Sequence, residues 1–320
     1  MPAGASRPLL ACALVALVAA GTGCGGGSPE SVAPGSQRTP GGTLAIALPA
    51  GPETLDPFLA QTRSELVIAR QLYESLWERL SGPYGEMRSL AGLVSSAEPA
   101  AHGTIWRLHL RHKVSFQDGA RYNASAVLAN VRRWRNTPQG RALLPSLVAA
   151  DGPRPDLVRP IFDRANPDLE RQLASPQLGL VSPRSLRSQD AAALLARGVA
   201  AGAGPFELRE RDPERLLLAR NVDWWGTRHE LGPAVDELDF RVVANAAERL
   251  MLLRRGEVQV AYDLRPAQVA RLRHDPLLTD LPAPGGAALG LERSVRGIDS
   301  ARRIPVLSEA WLTRIASAVR

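Results

Sequence analysis

Apolar and polar residues alternate along several short segments of the chain, and this period of two is typical of half-buried β-strands. In residues 104–110, the side chains of Trp106, Leu108 and Leu110 fall on one face and polar side chains fall on the other. Residues 41–49 alternate in the same way. Alternation or a short apolar run predicts further strands over residues 157–162, 178–181, 206–209, 216–219, 236–243 and 258–262.

A period of about 3.6 residues predicts helices between some of these strands. Residues 64–80 carry one apolar stripe, and a short helix is expected over residues 168–173. Residues 124–135 carry a second stripe that begins directly after Asn123, a residue suited to cap a helix start. Proline has no N–H for a ladder hydrogen bond, so Pro160 predicts that the strand containing it is an edge strand or an irregular one.

The segment from residue 236 to residue 262 combines two strands with a helix. Asn245 and Glu248 form an approximate capping box at the helix start, and Gly256 follows its last turn. A strand–helix–strand unit of this length predicts two parallel strands in an α/β sheet.

A predicted hairpin with an aromatic plug lies before this unit. Two short strands flank the turn Asp212-Pro213, and two tryptophans and a glycine follow the second strand. Large aromatic residues in such a position usually pack on a core. We therefore predict a structural role first for the motif residues Gly204, Pro205, Phe206, Trp224, Trp225 and Gly226.

The same stretch carries a family resemblance. Gly-x-Gly-Pro-aromatic before the hairpin and Arg-Asn-x-Asp-aromatic-Trp-Gly after it resemble the extracellular family 5 solute-binding proteins of ABC importers, the oligopeptide-, dipeptide- and nickel-binding proteins. The family usually has proline at position 222 and tyrosine at position 224, where this chain has Val222 and Trp224. Further resemblance lies in Gly-Gly-Thr-Leu at residues 41–44, Thr-Leu-Asp-Pro at residues 54–57 and the Trp-to-Gly block at residues 106–119.

The resemblance implies an α/β fold of the periplasmic-binding-protein type (type II, peptide-binding class). Residues 41–59 and 198–276 would form a mixed-sheet lobe, and residues 60–197 would form a smaller inserted subdomain. Residues 277–320 would be a C-terminal tail, with a possible return strand near residues 302–311, and the third lobe of the family would be largely missing.

The resemblance also places the loop after the first strand at the family's ligand cleft. Glu53, Thr54, Leu55 and Asp56 are therefore candidate ligand-binding residues. The alternative is that Asp56 and the proline after it only fix a turn.

The start of the chain predicts export. An apolar run over residues 9–20 follows Arg7 and is too short to span a bilayer as a helix, so residues 1–23 are predicted to be a signal peptide. Cys24 follows small residues as in a bacterial lipobox, although Gly21 stands where leucine is usual. Residues 24–40 would then be a lipid anchor and flexible linker. The alternative is ordinary cleavage near Ala20 that leaves Cys24 as a free thiol.

Charge and motifs disfavour nucleic-acid binding and catalysis. The formal net charge is +7, but the basic residues are scattered among 32 acidic ones rather than clustered. His229-Glu230 lacks the second histidine of a zinc protease helix, and no Gly-x-Ser-x-Gly elbow is present. His109 and His112 fall on opposite faces of a strand, so we predict no metal site. No cofactor and no catalytic residue are predicted.

The expected function is a lipid-anchored extracytoplasmic solute-binding component of an ABC importer, with short peptides as solutes and a membrane permease as partner. It would lie at the outer face of the cytoplasmic membrane or in the periplasm. The alternatives are a shortened, non-transporting lipoprotein acting through protein contacts, and a secreted hydrolase, for which no nucleophile–base pair is visible. With one wall of the family cleft missing, peptide binding is expected to be no tighter than about 0.1 mM.

Overall fold

The structure is a computed structural model, and it describes residues 41–81, 87–197, 200–229, 233, 235–265, 267–268, 278–283 and 286–291. The predicted signal peptide, Cys24, the linker and the possible return strand at residues 302–311 lie outside the described residues. The largest feature within them is a mixed sheet of seven strands.

The first strand within the described residues lies at the centre of this sheet. Strand β1 (Thr43–Leu48) pairs in parallel with β10 (Glu237–Val242) on one side and with β11 (Val260–Ala261) on the other. The hairpin of β8 (Phe206–Arg211) and β9 (Arg215–Arg220) extends the sheet beyond β10. The predicted parallel relation of the two late strands is confirmed, with β1 inserted between them.

Two further strands extend the sheet on the side of β11. They are β12 (Leu278–Ala283) and β13 (Gly286–Leu291), which form an antiparallel hairpin, and β13 pairs with β11. Strands from residues 41–59, 198–276 and 277–320 therefore share one sheet. The boundaries of the lobe and of the inserted subdomain remain predictions.

Both faces of β1 are covered, as is typical of a central parallel strand. Leu44, Ile46 and Leu48 pack in one cluster with residues of helix α1 (Arg63–Leu72). The small residues between them pack in a second cluster with Leu253 of α7 (Ala246–Arg255). Helix α7 has the predicted ends, because the Asn245 side chain caps its start and Gly256, with a φ of 75°, closes it in the left-handed conformation.

A second sheet has four strands in the order β4, β5, β7 and β6, which span Val94–Ala100, Ile105–Leu110, Leu157–Phe162 and Leu147–Arg154. The predicted face of β5 is confirmed, since Trp106, Leu108 and Leu110 are buried. They share a core with helix α2 (Ala124–Arg135), which begins after its predicted cap Asn123.

The remaining elements are short and connect these layers. They are β2 (Trp77–Ser81), β3 (Met87–Ala91), α3 (Pro138–Leu143), α4 (Leu169–Leu173), α5 (Pro183–Arg187), α6 (Ala191–Arg197) and 3-10 turns at Pro57–Leu59, Ala101–Gly103, Pro176–Leu178 and Trp225–His229. Among the described residues, no helix has the length and apolar character needed to cross a bilayer.

The first predicted helix is shorter than its sequence pattern indicates. It ends at Leu72 rather than residue 80, and Tyr73 has an extended backbone with a φ of −123°. The carbonyl of Leu72 accepts a hydrogen bond from the N–H of Gly204, and the carbonyl of Glu74 accepts one from Leu180. These distant partners replace the helical hydrogen bonds, so the prediction was wrong from residue 73 onward.

The strand that contains Pro160 is not an edge strand, because β7 lies between β5 and β6. The second alternative given above for this strand, an irregular strand, is the one observed. Its pairing with β5 skips Arg159 and Pro160, and its pairing with β6 shifts register twice. Pro160 therefore lies where the pairing with β5 is interrupted, so its missing N–H leaves no further gap in the hydrogen bonds between the two strands.

The predicted strand at residues 178–181 is absent. Leu178, Leu180 and Val181 are fully buried, but they have no strand partner. The side chain of Asn130 instead accepts the N–H of Val181 at 3.0 Å and donates to its carbonyl at 2.8 Å. The side-chain amide of Asn130 thus forms the hydrogen bonds with the N–H and carbonyl of Val181 that a neighbouring strand would otherwise form.

Candidate functional site

The loop after β1 is organised by one buried carboxylate, that of Glu65. Its Oε1 accepts the backbone N–H groups of Glu53 and Thr54 at 3.2 and 3.3 Å. Its Oε2 accepts those of Gln61 and Thr62 at 3.0 and 2.9 Å. The Thr62 hydroxyl in turn accepts the N–H of Glu65, which completes a capping box at the start of α1. Both ends of the loop therefore meet at one side chain.

The hydrogen bonds to Glu65 favour its ionised form. Burial by itself raises the pKa of Glu65, but the hydrogen bonds from Gln61, Thr62 and Thr54 together outweigh burial, and the pKa is lowered. A carboxylate that accepts several backbone N–H groups binds them more strongly than a neutral acid does. The loop is thus held by charge-assisted bonds and not only by packing.

The four candidate ligand-binding residues divide into two groups. Glu53 is exposed and Thr54 is half-buried, so both are accessible to a solute. Leu55 and Asp56 are buried, and the Asp56 carboxylate accepts the N–H of Phe58 at 3.0 Å and forms an ion pair with Arg133. As placed here, Leu55 packs in the core and Asp56 fixes the turn. The prediction of ligand contact therefore rests on Glu53 and Thr54.

A cavity of about 770 Å³ lies beside this loop, at the carboxyl ends of β1 and β10. Apolar side chains form part of its lining: Leu48, Ile68, Leu208, Leu216, Phe240 and Val242. Charged residues form another part: Glu53, Arg197, Arg209, Glu210, Arg211, Asp212 and Arg215. The site therefore presents both signs of charge next to an apolar wall.

Hydrogen bonds within the protein, two of them in ion pairs, hold three of the arginines at this cavity. Arg215 Nε donates to Asp239 at 2.6 Å, and Arg209 Nη1 donates to Glu237 at 2.8 Å. Arg211 Nη2 donates to the carbonyl of Pro52 at 2.8 Å. Glu237 and Asp239 alternate with the buried Leu238 and Phe240 along β10, so the ion pairs place the guanidinium groups of Arg209 and Arg215 on the face of the sheet opposite the apolar wall. The exposed Arg197, also in the lining, is a cation that can bind a carboxylate group of a solute.

The aromatic plug is anchored by a second buried carboxyl group. The indole N–H groups of Trp224 and Trp225 both donate to Glu74 Oε2, at 2.8 and 2.7 Å. The guanidinium of Arg111 lies 3.9 Å from the ring centre of Trp225. Burial raises the pKa of Glu74 to about 8, against the opposing effect of the two indole hydrogen bonds. Both tryptophans are buried, in keeping with the structural role predicted for them.

The glycines of the motif permit close backbone approach. A Cβ at Gly204 would lie 2.4 Å from the carbonyl oxygen of Gln71, and one at Gly226 would lie 2.2 Å from the Trp224 ring. Asn221 ties the two halves of the motif, since its side chain donates to the carbonyl of Gly204 and its N–H donates to that of Pro205. Phe206 is fully buried.

Sequence reasoning missed the two acids that organise these regions. Glu65 could have been found, because Thr-x-x-Glu at residues 62–65 is a capping-box signature. Glu74 could not, because its partners follow it by 150 and 151 positions. Among the described residues, no cluster of three histidine, cysteine or acidic side chains is placed to hold a metal ion.

The comparison with solved structures identifies the fold. The periplasmic binding protein DppA from Helicobacter pylori, in complex with the peptide STSA, has a TM-score of 0.66 at 19% identity, over 76% of this chain and 51% of that one. NikA from Brucella suis has a TM-score of 0.63 at 21% identity, over 76% and 48%. The fold is therefore that of the type II periplasmic binding proteins, as predicted.

Sequence comparisons lead to the same family. The Di/tripeptide-binding protein 2 of Pseudomonas aeruginosa (strain UCBPP-PA14) is 29% identical over 268 residues, which cover 75% of this chain and 48% of the relative. The glutathione-binding protein GsiB of Escherichia coli O6:K15:H31 is 24% identical over 245 residues, 75% of this chain and 46% of the relative. This chain thus spans about half the length of the curated relatives it matches. Residues 88–296 match the family described as "Bacterial extracellular solute-binding proteins, family 5 Middle". The chain belongs to the bacterial extracellular solute-binding proteins of family 5.

Proposed function

We propose that this chain is the solute-binding component of an ABC importer and that its solutes are short peptides. The observation that carries the proposal is the family match over residues 88–296. The names of two relatives, a di/tripeptide-binding protein and a glutathione-binding protein, support peptides as the solute class. The partner in the membrane would be the permease of the importer.

The geometry of the cavity agrees with a peptide as solute. Its volume of about 770 Å³ lies within the usual range for small-molecule sites, which is about 300–1,000 Å³. A short peptide carries an ammonium group at one end and a carboxylate at the other. The lining offers the Glu53 carboxylate for the first, and the guanidinium group of the exposed Arg197 for the second. Leu208 and Val242, the partly exposed residues of the apolar wall, would contact the side chains of the peptide.

The proposal includes export and anchoring. Cys24 would carry a lipid after removal of residues 1–23, and residues 25–40 would tether the folded part to the outer face of the cytoplasmic membrane. A single acyl chain binds membranes only marginally, whereas the two or more chains of a bacterial lipoprotein would hold the protein stably.

Calorimetry of the purified chain against di- to pentapeptides tests the proposed function. We expect saturable binding that Glu53→Ala weakens, because the variant removes the carboxylate proposed to meet the ammonium group. Glu98→Gln, at an exposed position on β4, is the control and should bind as the wild type does. A folded chain that binds none of these peptides would refute the peptide proposal and favour a lipoprotein that acts through protein contacts.

A further inference from the structure

Arg249 is a buried cation on the helix that packs against the central strand. Only 2% of its surface is exposed. Its Nε donates to the carbonyl of Tyr262 at 2.9 Å, and its Nη2 donates to that of Asp263 at 2.7 Å. Its Nη1 donates to the carbonyls of Val243 and Ala244 at 2.6 and 2.9 Å. One side chain thus binds four backbone oxygens from two separate loops.

Packing alone does not account for an arginine at this position. Burying a guanidinium is unfavourable unless its donors are used, and an apolar side chain would fill the same space without that cost. Burial lowers the pKa of Arg249, and the nearby Asp263 opposes this effect. What an apolar residue could not supply is the set of hydrogen bonds to the two loops.

Both loops lie at the same edge of the main sheet. Val243 and Ala244 directly follow β10, and Tyr262 directly follows β11. Because β10 and β11 both run parallel to β1, their loops emerge at the edge from which the Glu53 loop also emerges. In α/β sheets, ligands bind at this carboxyl edge. Val242, the residue before the first loop, already lines the cavity.

A further ion pair connects these loops with the Glu53 loop. Asp263 has a φ of 52°, a left-handed conformation that is uncommon for residues other than glycine. In this conformation its carbonyl meets Arg249, while its carboxylate pairs with Arg63 at 3.3 Å. Arg63 is the first residue of α1 and stands two residues before Glu65, which holds the Glu53 loop. Contacts therefore run continuously through all three loops.

We propose that Arg249 is a positioning residue for solute binding. It holds the loops after β10 and β11 in one arrangement, and the ion pair of Asp263 with Arg63 aligns them with the Glu53 loop. This inference rests on the proposed function, because it places the solute at this edge of the sheet. A preorganised edge binds a ligand more tightly, since less order has to be created on binding.

The test combines hydrogen–deuterium exchange with calorimetry on the purified full chain. Arg249→Met keeps much of the apolar stem and removes all four hydrogen bonds, whereas Arg249→Lys keeps the charge and some of them. Arg255→Met, at an exposed position on the same helix, is the matched control. The probe for binding is an equimolar mixture of di- and tripeptides.

We expect Arg249→Met to bind the probe at least about tenfold more weakly than the wild type does. Amide exchange should be faster in residues 242–246 and 260–265, while the strands of the second sheet stay protected. Arg249→Lys should recover part of both effects, and Arg255→Met should show neither. Asp263→Asn is the second variant in case Arg249→Met does not fold, because asparagine tolerates a positive φ and removes only the charge.

Two results would overturn the inference. One is wild-type affinity in Arg249→Met together with unchanged exchange in the two loops. The other is exchange that accelerates uniformly through the whole fold, which would mean that Arg249 contributes only to global stability. If the wild type binds no probe, the peptide proposal fails instead. Exchange then decides by itself whether Arg249 orders the loops.

Discussion

Replacing Glu74 with glutamine should make the stability of the folded protein less sensitive to a rise in pH from about 5 to 8. Glu74 is buried against Trp224 and Trp225, and burial raises the pKa of its carboxyl group to about 8 from an ordinary value of 4.5. The neutral acid and the glutamine amide have nearly the same shape. Each keeps an oxygen that can accept the two indole N–H groups, so the exchange leaves the packing of the plug in place.

The sign and size of the effect follow from proton linkage. Between pH 4.5 and pH 8 the unfolded chain has lost the Glu74 proton while the folded chain keeps it. Stability from this group is complete below pH 4.5 and is lost as the pH rises through 8. The free energy of unfolding then falls by about 1.4 kcal/mol per pH unit across this window. From pH 5 to pH 8 the loss is on the order of 4 kcal/mol.

Urea denaturation at pH 5, 7 and 9, followed by circular dichroism, measures this effect. The difference in free energy of unfolding between Glu74→Gln and wild type should move by several kcal/mol in favour of the variant as the pH rises. Glu98→Gln removes one exposed carboxyl group without touching the plug, and it is expected to follow the wild-type curve. Parallel pH curves for Glu74→Gln and wild type would refute the reasoning.

Three other predictions concern the loop, the plug and the anchor. Glu65→Gln should lower the free energy of unfolding by about 2–3 kcal/mol at pH 7, because its NH₂ group would face two N–H donors. The pKa of Glu65 is lowered, so the stability that its carboxylate contributes to the wild type is lost as the pH falls below 4.5, and the deficit of the variant should shrink. Urea titrations of the variant and the wild type at pH 7 and pH 3.5 measure this change. Trp225→Ala should cost about 3–5 kcal/mol in the same assay, and a fully stable variant that only loses peptide binding would contradict its structural role. Cys24→Ser should move the protein from the membrane fraction to the soluble fraction, and unchanged attachment would count against lipidation.

Local patterns in the sequence determined many of the elements. The alternation in residues 104–110 predicted β5 and its buried face, and Asn123 predicted the start of α2. Gly256 predicted the end of α7. The hairpin of β8 and β9 also formed where the turn residues indicated. These features could be predicted from the sequence because strand period, capping and turn formation depend on residues only a few positions apart.

The candidate site could be predicted only in part from the sequence. The family resemblance brought Glu53 and Thr54 forward as candidate ligand contacts, and the structure leaves both accessible, with Glu53 lining a cavity. It gave Leu55 and Asp56 the same role, although the first packs in the core and the second pairs with Arg133. The sign of a charge and its place in a loop do not reveal whether a distant partner will bury it.

The tertiary structure decided the rest through contacts between residues far apart in the chain. Helix α1 ends at Leu72 because Gly204 and other distant groups take over its hydrogen bonds. The apolar run at residues 178–181 stays irregular because Asn130 satisfies its backbone. Arg249, a surface residue by type, is buried because two loops converge on it. Hydrogen-bonding groups in a core must find partners, and only the folded arrangement of loops and sheets determines which partners are within reach.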